Sequence, residues 1–319
     1  MSPTTDRKKL SFVLPVAISD TGRPGNDLGR MTLLLESFTR CFPREHLATF
    51  LVVTKPHEMA LVSAALAASG ASEFAEVVSE TQICPELAAD PDTFHEFPER
   101  NKGWYRQQLL KLGAATHVGS PFYMTLDSDV IFTNEFHPDD VIHDGRSVIN
   151  VQTAEDFHAL FADQTAEASV RIRTGRDRRA EELLGVTRSG TCFYGETPVV
   201  LSVDLVGRLL EHLESRHRAG WCTTLISNLD WTEYSLYFTF AEGRGLLDTF
   251  HVRGGFDSVL RMSDSLWYPA SDYRTPRSID NWTWTAAPRR DGVSVVVQSY
   301  LGYEIDTVRK KVSHLLRVP

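Results

Sequence analysis

Two aspartates one residue apart close an apolar run, Phe122-Tyr123-Met124-Thr125-Leu126-Asp127-Ser128-Asp129-Val130-Ile131-Phe132. Acidic side chains are poor strand formers and expensive to bury unpaired. Their place at the end of such a run makes physical sense if a divalent cation sits there. Mn²⁺ or Mg²⁺ is held by one or two carboxylates and fills its remaining positions with water and phosphate oxygens. Asp127 and Asp129 are therefore candidate metal ligands; the plain alternative is a turn in which one of them caps the next element.

A second segment is Gly103-Trp104-Tyr105-Arg106-Gln107-Gln108-Leu109-Leu110-Lys111-Leu112. At about 100° per residue, Trp104, Gln107, Gln108 and Lys111 share one sector of a helix, apart from apolar Tyr105, Leu109 and Leu112. An indole, two amides and an ammonium make a poor core face and a good wall for a polar ligand carrying a ring and phosphates. Gln and Lys are equally ordinary on a solvated helix, so both readings stay open.

In Asn228-Leu229-Asp230-Trp231-Thr232-Glu233-Tyr234-Ser235, Asp230 or Thr232 can cap a helix whose first turn carries Glu233. The aromatic residues that follow look buried, so Glu233 could sit at a pocket mouth as a general base. An acidic residue in a first turn also simply suits the helix dipole. His251 lies in a strand-like apolar run, where a histidine is either a hydrogen-bonded core residue or a metal ligand from a distant segment. Residues 171–179 hold five arginines, read as a solvated helix or as a loop gripping a diphosphate or an anionic acceptor.

These residues need a scaffold. Apolar stretches of strand length at 12–18, 49–54, 76–78, 121–126 and 147–151 alternate with helical patterns at 28–42, 58–68 and 104–117. Such alternation predicts an α/β fold with a mainly parallel sheet covered on both faces. Ligands of such sheets bind at the carboxyl ends of strands, which directs attention to the loops after Ile18 and Leu126. Later, 203–217 reads as an amphipathic helix and 293–298 as a strand. With no linker or internal repeat, the 319 residues are expected to form a single continuous domain.

The composition suits a globular protein with a large core: 42% hydrophobic and 24% charged residues. A formal net charge of −9 argues against nucleic acid as partner, which calls for a basic surface. No stretch approaches the roughly 20 apolar residues of a membrane span. The N-terminus reads as a first strand and not a signal peptide, because Pro15 interrupts its short apolar run. Cys41, Cys84, Cys192 and Cys222 are widely spaced, which fits reduced core thiols and a cytoplasmic location. Val308, Val312, Leu315 and Leu316 share one face of a C-terminal helix whose other side is basic. That helix could dock on the protein body or rest peripherally on an anionic membrane.

Together the segments resemble the GT-A (Rossmann-like) nucleotide-diphospho-sugar transferase fold, and in particular an uncharacterised bacterial family within it. That family shares a Gly-Trp-x-x-Gln-Gln-x-x-Lys-Leu block, a Leu-Asp-Ser-Asp-Val strand end and a downstream Glu-Tyr. Here these are residues 103–112, 126–130 and Glu233-Tyr234. The resemblance implies a metal-dependent glycosyltransferase using a nucleotide-sugar donor, a UDP-sugar foremost, and a glycan, lipid-linked or small-molecule acceptor. It implies a nucleotide-sugar-binding half over 1–150 and an acceptor half with the C-terminal segment over 151–319.

Carried over by position, the resemblance makes Asp129 the more direct metal ligand and puts Asp127 near the donor ribose or sugar. His251 becomes a metal or diphosphate contact and Glu233 the carboxylate facing the acceptor. A glycine-containing loop at 190–195, with Gly190 and Gly195, approaches the donor sugar. The loop after Ala17, with Asp20, holds the base. The usual pattern of the GT-A fold has an aspartate after the glutamate; Tyr234 stands there instead. Two other classes compete. Haloacid-dehalogenase-like phosphohydrolases also end a strand with Asp-x-Asp, but as the first strand and with Thr or Val where Ile131 stands. A catalytically silent sugar-nucleotide or glycan-binding protein would keep the donor site without turnover.

Overall fold

The computed structural model describes residues 8–18, 24–88, 99–282 and 292–316. In chain order the first half forms β1 (Leu10–Pro15), α1 (Pro24–Cys41), β2 (Leu47–Thr54), α2 (Met59–Ala68), β3 (Glu76–Ser79), α3 (Glu80–Ile83), α4 (Glu99–Gly113), β4 (Phe122–Thr125), β5 (Val130–Phe132), α5 (Pro138–Val141), β6 (Ile142–His143) and β7 (Arg146–Ile149). The second half forms β8 (Val151–Gln152), α6 (Ala154–Leu160), α7 (Asp163–Leu184), β9 (Phe193–Tyr194), β10 (Val199–Ser202), α8 (Val203–His217), α9 (Trp221–Ile226), α10 (Glu233–Gly243), α11 (Leu247–Phe250), β11 (His251–Arg253), β12 (Ser294–Val296) and α12 (Ile305–Leu316).

Alternate residues of β1 bury on opposite sides of one sheet. Val13 joins Leu51, Val53, Tyr123 and Leu201 beneath α4, α8 and α10. Phe12 and Leu14 join Phe50, Val52 and Met124 beneath α1 and α2. A strand covered on both faces must be apolar throughout, as this one is. On the second face Phe12 meets Phe38 and Phe42 edge-on, with ring centroids 4.8 and 4.9 Å apart.

The sheet runs in the order β10-β4-β1-β2-β3. β1 is parallel to β2 and β4, β2 is parallel to β3, and only β10 is antiparallel. The expected mainly parallel, doubly covered α/β architecture is thus present. After β3 the chain crosses to the other side of β1, so the order reverses between β1 and β4. At such a switch the flanking loops part and leave a crevice at the carboxyl ends. The second half completes sheets begun by the first: β10 pairs with β4, β11 with β7, and β12 with β5.

Several local expectations change. The arginine-rich run lies within α7, a 22-residue helix, so it is not a loop. The stretch before His251 forms the short helix α11, and only His251–Arg253 is strand. The apolar face of α12 is covered: Val308 and Val312 are buried with Leu33 of α1 and Ile131 of β5, and Arg309 pairs with Glu36. That docking covers the apolar face at these positions, as the first of the two readings expected, and lends no support to peripheral membrane contact. Among the described residues no helix is long and apolar enough to cross a membrane. Arg317 and part of the sequon at 281–283 lie outside the described residues. All four cysteines are free thiols.

Candidate active site

The two aspartates sit in a tight turn between buried strands. Leu126 N–H still donates to Val13 O at 2.9 Å, and Val130 N–H closes the turn on Asp127 O at 3.1 Å. Leu126 and Val130 are fully buried on either side, so packing fixes the turn that carries Asp127 and Asp129. The Asp129 carboxylate is itself buried. Ser299 N–H donates to its Oδ2 at 3.2 Å, while Oδ1 has no hydrogen-bond partner among the described residues. Burial first, and then the neighbouring Asp127 charge, push the Asp129 carboxyl up to about 7; Arg30 opposes the rise. Arg30, buried on α1, donates to Val297 O at 2.8 Å and Tyr303 O at 3.2 Å.

Lys111 links the motifs. Its Nζ lies 2.7 Å from Asp127 Oδ1 and 2.9 Å from Glu233 Oε1. With Lys111 3% exposed and Glu233 4%, little water screens these charges. Burial disfavours the ammonium, yet Asp127 and Glu233 together hold its pKa well above the ordinary lysine value. Tyr123, on β4, donates from its hydroxyl to Lys111 O at 2.8 Å, fixing this end of α4 against the sheet.

Glu233 opens α10 behind a Thr232/Ser235 capping box. Its backbone N–H donates to Gln108 Oε1 at 3.1 Å, so α4 caps α10. Tyr234 shares a 2.8 Å hydrogen bond with Thr125 Oγ1, and its ring lies 5.3 Å beneath Lys111 Nζ. Thr125 is the last residue of β4. The tyrosine that stands where the usual GT-A pattern has an aspartate therefore pins the start of α10 to the strand that leads into Asp127.

These groups face two adjoining chambers. One, of about 540 Å³, is lined by Asp127, Ser128, Asp129, Arg30, Asn26 and Asp27, with Trp267, Gln298, Ser299 and Tyr300 from the last part of the chain. The other, of about 170 Å³, is lined by Gln108, Lys111, Glu233, Tyr234, Arg173 and Arg176. Trp104, Gln107, Asp127, Glu196 and Thr197 border both. The structure thus brings Trp104, Gln107, Gln108, Lys111, Asp127 and Glu233 together, with Asp129 on the larger side. The Gln108 amide is already committed, accepting from Glu233 and donating to Trp104 O at 3.3 Å.

Other expected residues lie elsewhere. His251, expected as a metal or diphosphate contact, is buried between Ser147 Oγ at 2.8 Å and Tyr237 OH at 2.9 Å. Ser147 Oγ donates to Val200 O, so His251 Nδ1–H donates to Ser147 and Nε2 accepts from Tyr237. Both ring nitrogens are occupied, and His251 borders neither chamber. Gly190 is exposed beside Glu242, within a cluster where Arg188 binds Asp177 and Glu242. Gly195 is buried against Val199, Phe238 and Tyr234; its φ of +70° turns the chain so that Glu196 and Thr197 reach the chambers. Ala17 is half-buried and borders neither chamber, and Asp20 lies outside the described residues.

Sequence reasoning missed Arg30, Glu196, Thr197 and the 298–300 segment. None carries a local signal, because each reaches the site through tertiary packing. Arg173, which pairs with Glu196, and Arg176, whose guanidinium lies 5.0 Å over the Trp104 ring, were visible only as members of an arginine run.

Among the described residues no group of three or more His, Cys, Asp or Glu side chains could by itself hold a metal ion. The carboxylate turn nevertheless fits a divalent cation that takes its other ligands from phosphate and water. Burial and the Asp127 charge raise the proton affinity of Asp129 there, and a buried Asp129 oxygen has no donor among the described residues.

A family model described as "Family of unknown function (DUF6492)" matches residues 7–318. The chain belongs to this family. No curated protein sequence matches this DUF6492 member. Among solved structures, an active-site mutant of LgtC aligns with it at a TM-score of 0.50 and 10% identity, covering 97% of this chain and 98% of that one. LgtC, a galactosyltransferase, in complex with donor and acceptor sugar analogues aligns at 0.48 and 11%, with the same coverage. Glucosyl-3-phosphoglycerate synthase from Mycobacterium tuberculosis aligns at 0.40 and 14%, covering 98% of this chain and 81% of that one. The first of these likenesses, with the sheet order, gives the DUF6492 chain the GT-A fold.

Proposed function

We propose that this protein is a metal-dependent glycosyltransferase moving a sugar from a nucleotide-sugar donor to an acceptor hydroxyl. The observation that carries the reading is the Lys111 bridge between Asp127 and Glu233 at the carboxyl edge of a GT-A sheet. It ties a carboxylate of the candidate cation site to a buried carboxylate facing the adjoining chamber.

Asp127 and Asp129 would hold Mn²⁺ or Mg²⁺, which when bound supplies positive charge against the diphosphate of the donor. The donor occupies the larger chamber beside Asp129, with Gln107 and Trp104 on its wall. Glu233 stands across Lys111 from Asp127 and receives the acceptor hydroxyl's proton. As the acceptor oxygen bonds to the anomeric carbon, the bond from that carbon to the diphosphate oxygen breaks and the nucleoside diphosphate departs with the electron pair. Lys111 holds Glu233 in place by their 2.9 Å contact while charge builds on the leaving group. Gln108 and Tyr234 act as positioning residues, through the α10 backbone and through Thr125. The two halves of the chain work as one unit in this reading, because each chamber draws on both.

A thermal-shift screen of UDP-, GDP-, CMP- and dTDP-sugars, each with and without Mn²⁺, tests the proposal. One donor should raise the melting temperature in a metal-dependent way; saturation at about a hundredfold excess over Kd is worth roughly 2.7 kcal/mol. No response to any donor in either condition counts against it.

A further inference from the structure

We infer that the acceptor of this enzyme is anionic, carrying a phosphate or carboxylate group that Arg176 and its neighbours on α7 receive. The inference rests on the glycosyltransferase reading and goes further, to the chemical class of the acceptor.

Arg176 is the pivot. Its guanidinium stacks on Trp104, and no carboxylate among the described residues pairs with it. Other arginines of the site are committed: Arg173 to Glu196, and Arg179 to Glu182, Asn228 Oδ1 and Leu229 O. A half-buried guanidinium has lost part of its hydration, and without a carboxylate it is held ready for an external anion.

The position of Arg176 separates it from the donor diphosphate. It borders the chamber that holds Glu233 and not the chamber that holds Asp129. On its far side a groove of about 480 Å³ runs along α7, where Arg171 and Arg178 stand exposed with no ion pair among the described residues, beside Ile172 and Tyr105. Two acids border it: Glu182, paired with Arg179, and the exposed Asp230. On a chain of net charge −9 this local excess of cations draws an anion toward a groove that meets the Glu233 chamber at Trp104 and Arg176. Trp104, 38% exposed at the junction, offers a flat apolar face on which a sugar ring can lie. An acceptor entering by the groove would hold its charged group at Arg176 and turn a hydroxyl toward Glu233.

The test is calorimetric titration of glucose 6-phosphate, glucuronate, inorganic phosphate and glucose into the full chain without nucleotide, with a parallel thermal-shift titration of the responsive donor and Mn²⁺. The two charged sugars distinguish phosphate from carboxylate, and phosphate alone reports the anion site without a sugar. We expect a charged sugar to bind at least tenfold more tightly than glucose. Arg176→Gln should erase that preference while changing the donor midpoint less than twofold. Arg171→Gln combined with Arg178→Gln, both at exposed positions where folding is safe, should weaken the charged sugar several-fold. Equal binding of glucose and both charged sugars overturns the inference. So does a preference that survives Arg176→Gln, or donor affinity that falls as far as that of the charged sugar, which would assign Arg176 to the diphosphate. If the charged sugar binds through Arg176 while no donor responds, the anion site stands and the glycosyltransferase reading falls.

Discussion

Lys111 and Glu233, 122 residues apart in sequence, meet at 2.9 Å in an almost dry contact, and the same ammonium touches Asp127 at 2.7 Å. One cation thereby compensates two carboxylates from distant segments of the chain. Breaking a buried ion pair by removing one partner leaves the others uncompensated and costs about 3–5 kcal/mol. Lys111→Met should destabilise the fold by that order, measured from urea denaturation midpoints, and abolish transfer. A variant as stable as the wild type would mean that the contact is not buried in solution.

Glu233→Gln keeps the shape and one hydrogen-bonding oxygen but cannot take a proton. With the proposed responsive donor, binding should persist while transfer to any acceptor falls by roughly 10²–10⁴-fold, the range for a general base. Unchanged kcat would remove Glu233 from the chemistry and leave it a structural partner of Lys111.

Tyr234→Phe deletes only the hydroxyl that meets Thr125 at 2.8 Å. We expect a loss of about 1 kcal/mol in stability and a several-fold fall in kcat, with donor affinity little changed. That pattern would mark Tyr234 as positioning Glu233; a large rise in donor KM would instead mean that the hydroxyl itself contacts the donor.

His251 is buried neutral, its pKa lowered by burial from 6.5 to about 3. The unfolded chain therefore takes up a proton below about pH 6.5 that the folded chain refuses. The stability associated with the neutral ring is complete above that pH and declines by about 1.4 kcal/mol per pH unit as the pH falls toward 3. Urea denaturation at several pH values should show His251→Gln losing less stability than the wild type over this window. Parallel declines would contradict the assignment of the ring as a buried neutral donor–acceptor.

Much of the scaffold was legible because β1, β2 and β4 announce themselves as short apolar runs, and because two aspartates at the end of one such run have few cheap explanations. The 104–111 face was legible as a polar stripe, but not the division of labour within it. Gln108 spends its amide on the α10 backbone, and only tertiary structure reveals that α10 begins there. His251 was misread for the same reason: Ser147 and Tyr237, which satisfy both its nitrogens, lie 104 and 14 residues away. Arg30, Glu196 and Ser299 come from a helix and two loops whose local sequences contain no acidic pair or glutamine block.

The account stands most directly on Asp129, and the decisive measurement is the Mn²⁺ dependence of donor binding by the wild type and by Asp129→Asn. The wild type should bind the donor tightly only with Mn²⁺, and Asp129→Asn should bind it equally weakly with and without the metal while remaining folded. Donor binding by Asp129→Asn that is as tight and as metal-dependent as in the wild type would contradict the claim that the Asp127–Asp129 turn holds the cation.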